Sequence, residues 1–347
     1  MATNISRRRF NILMGAASIT GLSSVLAADK AGGQLVVGTW GGDYEKFLRN
    51  YIATPFLDPQ GIKTVFDTGS DAPRKIKLMA ERRLPRGTMD IAALTGSGGY
   101  EMWKNDTLQE LDTSRIPGYA DIPDFLKTPY SVPHIYTGRV ILYNPEIIKT
   151  EPTSYNDLWN PEYAGKVGII DIQYQTTIES AALINGGSLN NYEPGKEKLL
   201  ELKKMGVRIY PTNEAMAQAL SSGECAICIM WQARARQWQS NGIPVKIAYP
   251  KEGIGIYVSE FSIPKNARNP DAAYAFLNAS LQPQAQLDFA KNMGYQPPST
   301  TNRLPADLAE RVSIPQSQLD KVMMQDNEYL LKNDAQLQDW WNKVFKA

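Results

Sequence analysis

Apolar residues in this chain come in short blocks of two kinds that alternate. Gln34–Trp40 is a β-branched, apolar run and predicts a strand. Gly41-Gly42 follows as a turn. Asp43 then suits the N-cap of a helix whose apolar residues Tyr44, Phe47, Leu48, Tyr51 and Ile52 share one face. Gly61–Phe66 predicts a second strand, and Pro73–Arg83 a helix with Ile76, Leu78 and Met79 inward. Asp90–Leu94 predicts a third strand that stops at the turn Thr95-Gly-Ser-Gly-Gly99. This β-α-β-α-β order predicts an α/β unit with a mostly parallel sheet.

A second series begins after Tyr143-Asn144-Pro145. Strands are predicted at Lys166–Asp171, Val207–Tyr210, Cys225–Trp231 and Val245–Tyr249. Helices are predicted at Thr176–Asn185, Lys196–Met205, Glu214–Ser221 and Gln232–Ser240, the first three each closed by a glycine. Gly255–Ile263 reads as one more strand. Helices follow after Asn269-Pro270, at Ala285–Met293, and at the C-terminus through Trp340-Trp341. The chain therefore holds two α/β units in sequence, with no internal repeat.

In open α/β sheets, ligands bind beyond the carboxyl ends of the strands. Here those ends are Trp40-Gly41-Gly42, Leu94–Ser97, Asp171–Gln175 and Trp231-Gln232. They are rich in Gly, Thr, Ser, Gln and Trp, which suits a cleft for a polar small molecule. A lone Gly-Gly would mean only a tight turn; four such ends together point to a ligand site.

Composition narrows the chemistry. With 347 residues and 43% hydrophobic content the chain can bury a real core, and its length suggests two domains. The formal charge is +1. Three arginines and no acid lie in the first 27 residues, so the remainder is near −2, which gives no reason to expect a nucleic-acid or anionic-membrane partner. The single histidine, His134, leaves little for a Ser-His-Asp triad or a zinc site. No nucleophile-elbow or P-loop motif is present. Cys225 and Cys228 are the only cysteines. On a strand, residues three apart face opposite ways, so they read as small core residues rather than a redox pair. No catalytic group, metal or cofactor is expected.

The N-terminus carries an address. Ser6-Arg7-Arg8-Arg9-Phe10, a short apolar run from Ile12 to Ala28 and the small-residue exit Val25-Leu26-Ala27 make a cleaved secretory leader of the twin-arginine kind over residues 1–27. That run is broken by Gly15 and Gly21, and nothing downstream reaches the ~20 apolar residues of a membrane span. The expectation is an exported protein.

Further blocks carry a resemblance. Leu158-Trp-Asn-Pro-Glu-Tyr-Ala-Gly-Lys166, Pro250-Lys-Glu-Gly253, Ser262-Ile-Pro-Lys-Asn-Ala-Arg-Asn-Pro270, Ala272–Asn278 and Gly294-Tyr-Gln-Pro-Pro298 are similar to the periplasmic solute-binding proteins of ABC importers. The branch is that of the spermidine- and putrescine-binding proteins. Asn327-Glu-Tyr329 and Trp340-Trp-Asn-Lys343 resemble its C-terminal helices. The resemblance implies the type II two-lobed fold, hinged at strands that cross near residues 136–140 and 256–261. Lobe 1 would be 32–137 with 260–302, and lobe 2 would be 138–259 with 303–347. It also implies a periplasmic monomer that traps a small solute by hinge closure and delivers it to an inner-membrane permease.

Carried over residue by residue, the family's binding positions fall on Trp40 and Tyr44, Thr95 and Ser97, Trp231, Tyr257 and Tyr295. Gly41, Gly42 and Tyr136 adjoin them. An aromatic box suits an aliphatic amine, since ammonium groups gain ~0.5–2 kcal/mol over ring faces. Yet the positions of the family's ammonium-binding carboxylates are occupied by Ile172, Gln175 and Ser259, with Asp171, Asp43 and Glu260 one or a few residues away. Arg139 and Arg234 fall near the cleft and suit a carboxylate. An aromatic box with arginines and without those acids points to an ω-amino acid or amino-acid derivative in place of a polyamine. Two alternatives stand beside this. One is a ferric-iron carrier using Tyr174 or Tyr257. The other is a secreted enzyme using Asp171 and Glu260 as acid and base.

Overall fold

The computed structural model describes residues 33–299 and 304–347; the proposed leader lies outside the described residues, as do positions 300–303 around the expected lobe boundary. Ten strands are formed: β1 (Gly33–Thr39), β2 (Ile62–Thr68), β3 (Ile91–Thr95), β4 (Val132–Tyr143), β5 (Val167–Ile170), β6 (Arg208–Tyr210), β7 (Ile227–Trp231), β8 (Lys246–Ala248), β9 (Ile254–Ser262) and β10 (Val322–Met323). The sheet order is β2-β1-β3-β9-β4-β7-β5-β6, with β8 beside β4 and β10 beside β9.

The expected parallel pairing holds in the two wings. β2, β1 and β3 run parallel, as do β7, β5 and β6. The centre is antiparallel, because β9 pairs with both β3 and β4, and β4 pairs with β7. β4 changes partner along its length: up to Gly138 it pairs with β9, and from Arg139 on with β7. This long strand has no period-two signature, since all twelve of its residues are buried. A strand covered on both faces loses its alternation.

Each wing has its own core. Leu35, Val37, Ile91, Phe261, Phe276 and Phe289 pack in the first. Ile141, Tyr155, Ile169, Ile178, Leu199, Trp341 and Phe345 pack in the second, where the C-terminal helix Asn327–Trp340 buries Leu330 and Leu337. Fully burying one such side chain stabilises by roughly 1.5–3 kcal/mol. Cys225 and Cys228 are free and buried beside Leu142, Met216 and Trp238. Burial pushes the Cys225 thiol up to about 12, so it stays protonated.

Two local expectations change. The helix over the second crossover runs Asp71–Glu81, and its buried face is Arg74 and Leu78, four residues apart. Ile76 lies between them in sequence and so on the other side, 70% exposed. Arg74 reaches inward because its guanidinium donates to the carbonyls of Ala93 (2.6 Å) and Gly69 (2.8 Å). The Gly-rich segment after β3 is no loop either. It is the first turn of a helix, Gly96–Lys104, and the Thr95 hydroxyl accepts from the Gly98 N–H at 3.2 Å. Glycine is needed for approach, since a Cβ at Gly99 would stand 1.8 Å from Glu260 Oε1.

Candidate functional site

The carboxyl ends of β1 and β7 and the helices after them enclose a cavity of about 440 Å³. Trp40, Gly41, Asp43, Tyr44 and Phe47 line it from the β1 side, with Ile135, Tyr257, Asn292, Met293 and Tyr295. Glu214, Arg234 and Gln237 line it from the helices Asn213–Ser221 and Gln232–Ser240. It falls within the ~300–1,000 Å³ usual for small-molecule sites.

Its walls are aromatic. The Trp40 and Tyr44 rings meet edge to face at 5.2 Å, and the Arg74 guanidinium covers Trp40 at 5.0 Å. Tyr257 stands 5.4 Å from Trp231 and 6.2 Å from Tyr295. Trp231 thus backs the wall, and Tyr257 and Tyr295 face the cavity. Burial raises the pKa of both tyrosines, and the Arg234 guanidinium opposes this without undoing it, so both remain neutral phenols. The Tyr44 hydroxyl is occupied within the protein, by His134 Nδ1 at 2.9 Å and Ser259 Oγ at 3.0 Å. Burial drives the His134 imidazole down to about 3, so it is neutral at this contact.

Of the residues expected at the site, Trp40, Gly41, Tyr44, Arg234, Tyr257 and Tyr295 converge on the cavity. Ser259 and Trp231 support it from behind. Gly42 precedes the helix Asp43–Leu48 with φ 69° and serves the turn. Thr95 is a helix cap, and Ser97 lies in that helix's first turn. Neither lines the cavity.

Four expected residues lie elsewhere, for stated reasons. Tyr136 follows Ile135 on β4; Ile135 faces the cavity, and Tyr136 packs its ring edge on Phe125 at 6.0 Å. Arg139 is fully buried in an ion pair with Glu179 at 2.5 Å, and its Nε donates to the Tyr155 hydroxyl at 3.3 Å. Full burial works against its charge, yet Glu179 and Tyr155 raise its pKa above the usual value. A Cβ at Gly255 on β9 would come 2.5 Å from the Arg139 guanidinium, so the crossing strands close over it. Glu179 also accepts from Tyr192 (2.5 Å) and Gln325 (3.2 Å). Asp171 accepts from Trp341 Nε1 (2.8 Å) and Lys346 Nζ (2.7 Å), tying down the C-terminus. Gln175 donates to Asp334 at 2.6 Å, beside Tyr174 at 2.5 Å.

Glu214 escaped the sequence reading. It stands just after Thr212 and Asn213, where it looks like a first-turn helix acid, and only the fold brings that helix to the cavity. Glu260, the other proposed acid, is 2% exposed. Its Oε2 accepts from Ser131 at 2.8 Å, and Oε1 has no hydrogen-bond partner among the described residues. Burial raises its carboxyl to about 8. Asp171 and Glu260 thus belong to separate networks. Among the described residues no group of three or more His, Cys, Asp or Glu is arranged to hold a metal ion, and no helix is long and apolar enough to cross a membrane.

The model of the bacterial extracellular solute-binding proteins matches residues 51–316. The chain belongs to that family. It is 26% identical to the spermidine/putrescine-binding periplasmic protein of Escherichia coli K12, over 88% of this chain and 86% of that one. It is 25% identical to the putrescine-binding periplasmic protein of the same strain, over 75% and 79%. A crystal structure of an ABC transporter protein from Clostridium perfringens superposes with TM-score 0.79 at 25% identity, covering 90% of this chain and 99% of that one. The spermidine/putrescine substrate-binding protein of Streptococcus pneumoniae gives 0.74 at 24%, covering 90% and 98%. The fold is therefore the two-lobed one of periplasmic binding proteins. The chain is the component that captures a small solute for an ABC importer, with a membrane permease as its partner.

Proposed function

We propose that the solute is a short aliphatic amine bearing a carboxylate, an ω-amino acid or close derivative. The observation that carries this is Arg234 at the wall of a cavity that Trp40, Tyr44, Phe47, Tyr257 and Tyr295 also line. Its Nη1 donates to Gln237 Oε1 at 2.8 Å, and among the described residues its guanidinium makes no other hydrogen bond. A planar, permanently charged donor in that place favours a carboxylate. The rings of Trp40, Tyr257 and Tyr295 would pack the alkyl chain and face the ammonium group. A diamine such as putrescine is the second reading, favoured by what the similar E. coli proteins are named for.

Capture would proceed by closure of lobe 1 (32–137 with 260–302) on lobe 2 (138–259 with 303–347). The partner change of β4 at Gly138/Arg139 supports a hinge there. The exported form would be a monomer, freed of residues 1–27, that binds without turning over its solute. Thermal-shift screening against 4-aminobutyrate, amino acids, polyamines and ferric citrate tests this. Stabilisation by 4-aminobutyrate is expected, through preferential binding to the folded state. Stabilisation by putrescine alone, unaffected by Arg234→Ala, would sink the carboxylate reading. Conversion of any solute would sink the receptor reading.

A further inference from the structure

Trp40 borders the cavity, and the group that covers its indole lies behind it. Arg74 sits in the first turn of the helix Asp71–Glu81, yet its side chain is only 3% exposed. β1 passes its stem with a glycine, since a Cβ at Gly38 would stand 3.3 Å from Arg74 Cδ and Nε. The β1–β3 ladder runs through Val37/Ile91 and Gly38/Ala92 and stops there. Just past its end Nη1 donates to the Ala93 carbonyl on β3 at 2.6 Å, and Nη2 donates to the Gly69 carbonyl after β2 at 2.8 Å. Gly69 in turn donates its N–H to the Thr39 carbonyl at 2.9 Å. One guanidinium thus forks across the carboxyl ends of the wing, where Trp40 leaves β1. Asp71 Oδ1 stands 3.9 Å from Nη1 and has no hydrogen-bond partner among the described residues. The two carbonyls, and not the carboxylate, therefore set the plane of the fork. The guanidinium carbon lies 5.0 Å from the centre of the Trp40 ring, and Trp40 lines the cavity while Arg74 does not.

We infer that Arg74 is a positioning residue of the solute site, which holds the Trp40 indole as a fixed wall of the cavity and touches no solute itself. The inference rests on this cavity being the solute site, and it holds for either class of solute proposed above. Gly41-Gly42 follow Trp40, so the chain offers the ring no neighbouring side chain until Asp43 and Tyr44. Tyr44 meets the indole edge to face at 5.2 Å and leaves the rest of its surface to other partners. A guanidinium is planar and lies flat on a ring face, and its five donors grip backbone carbonyls at the same time. A lysine ammonium is a point charge and cannot do both in that geometry. The gain to binding is preorganisation, because a ring already in place loses no rotamer freedom when solute arrives. Arg74 thus raises affinity through the ring, without contact.

Fluorine NMR of protein labelled with 5-fluorotryptophan reads the ring directly, with the Trp40 line among seven assigned by its loss in Trp40→Phe. Without solute, the Trp40 line of the unaltered protein should be single and sharp. In Arg74→Met it should broaden or split, while the lines of the buried Trp238 and Trp341 hold still. Arg74→Lys keeps the charge without the fork and serves if the methionine variant does not fold; its Trp40 line should change in the same way, by less. A Trp40 line unchanged in a folded Arg74 variant overturns the inference. Calorimetry then ties the ring to binding. Affinity for 4-aminobutyrate, or for putrescine if that is the solute bound, should fall roughly tenfold in Arg74→Met. In a Trp40→Ala background the same substitution should cost nothing further. Equal losses in both backgrounds mean that Arg74 supports the wing at large, and overturn the inference. If neither solute binds, the solute class proposed above falls, and the fluorine spectra still decide for or against Arg74.

Discussion

Arg139 and Arg234 carry the same charge and have opposite surroundings. Arg139 lies under the crossing strands, fully buried, with Glu179 and Tyr155 about it. Arg234 stands at the wall of the cavity, and among the described residues its guanidinium bonds only to the Gln237 amide. The contrast separates two uses of charge. A buried pair is costly to desolvate and gives little net stability, yet losing one partner strands the other. A charge left half-satisfied at a cavity costs the fold little and is available to a solute. Stability in this protein should therefore respond to its buried charges, and recognition to its exposed ones.

The sharpest way to break that contrast is Arg139→Ala. It strands Glu179 without a counter-ion and should cost about 3–5 kcal/mol in urea denaturation. Adding Glu179→Leu should recover part of the loss; no recovery would mean that the pair is not the source. Glu260→Gln comes next. The buried carboxyl is raised to about 8 from an ordinary 4.5, so the folded state holds a proton that the unfolded chain releases. Its contribution is fully present below about pH 4.5 and is lost as pH rises through about 8, on the order of a few kcal/mol. The glutamine variant should flatten that decline in a pH series of melting curves. A parallel decline in both proteins would place its origin elsewhere.

Arg234→Ala should reduce affinity for 4-aminobutyrate by roughly 10–100-fold, the loss of a charged hydrogen-bonding partner, with the solute-free melting point unmoved. If the melting point falls with it, Arg234 is structural after all. The smallest effect is expected at Glu328, on the C-terminal helix. It accepts from the Tyr100 hydroxyl and pairs with Lys104 at 3.4 Å and Lys332 at 3.0 Å. These contacts draw its carboxyl down to about 2. Both lysines are exposed and the Glu328 side chain is 45% exposed, so solvent screens these contacts and Glu328→Gln should leave the denaturation midpoint within error.

What could be read from the chain tracks how local each signal is. The helix that starts at Asp43 buries Tyr44 and Leu48, and its continuation Ile52, on the face that their spacing in the sequence marks. β4 has no such pattern, and only the resemblance pointed to a crossing there. Its burial comes from β9 on one flank and β7 on the other, both far away in sequence. Of the six residues that converge on the cavity, Trp40 and Gly41 sit at the end of β1, where topology alone marks a site; Tyr44 and Arg234 lie in helices, Tyr257 within β9, and Tyr295 just after a helix. Arg139 shared the right neighbourhood in sequence, but its partner Glu179 lies forty residues on, and nothing near Arg139 announces it. Glu214 shows the converse. An ordinary helix-start acid became a cavity residue because of how the wings pack.

Trp40 has one more consequence. Its indole is held by Arg74 and Tyr44 and borders the cavity that a solute would fill. A solute that displaces water there alters the polarity around an emitting ring, so the receptor carries its own optical reporter. Trp40 is one of seven tryptophans, and subtracting the spectrum of Trp40→Phe isolates its share. Candidate nutrients could then be ranked by colour shift alone, with nothing attached to protein or solute.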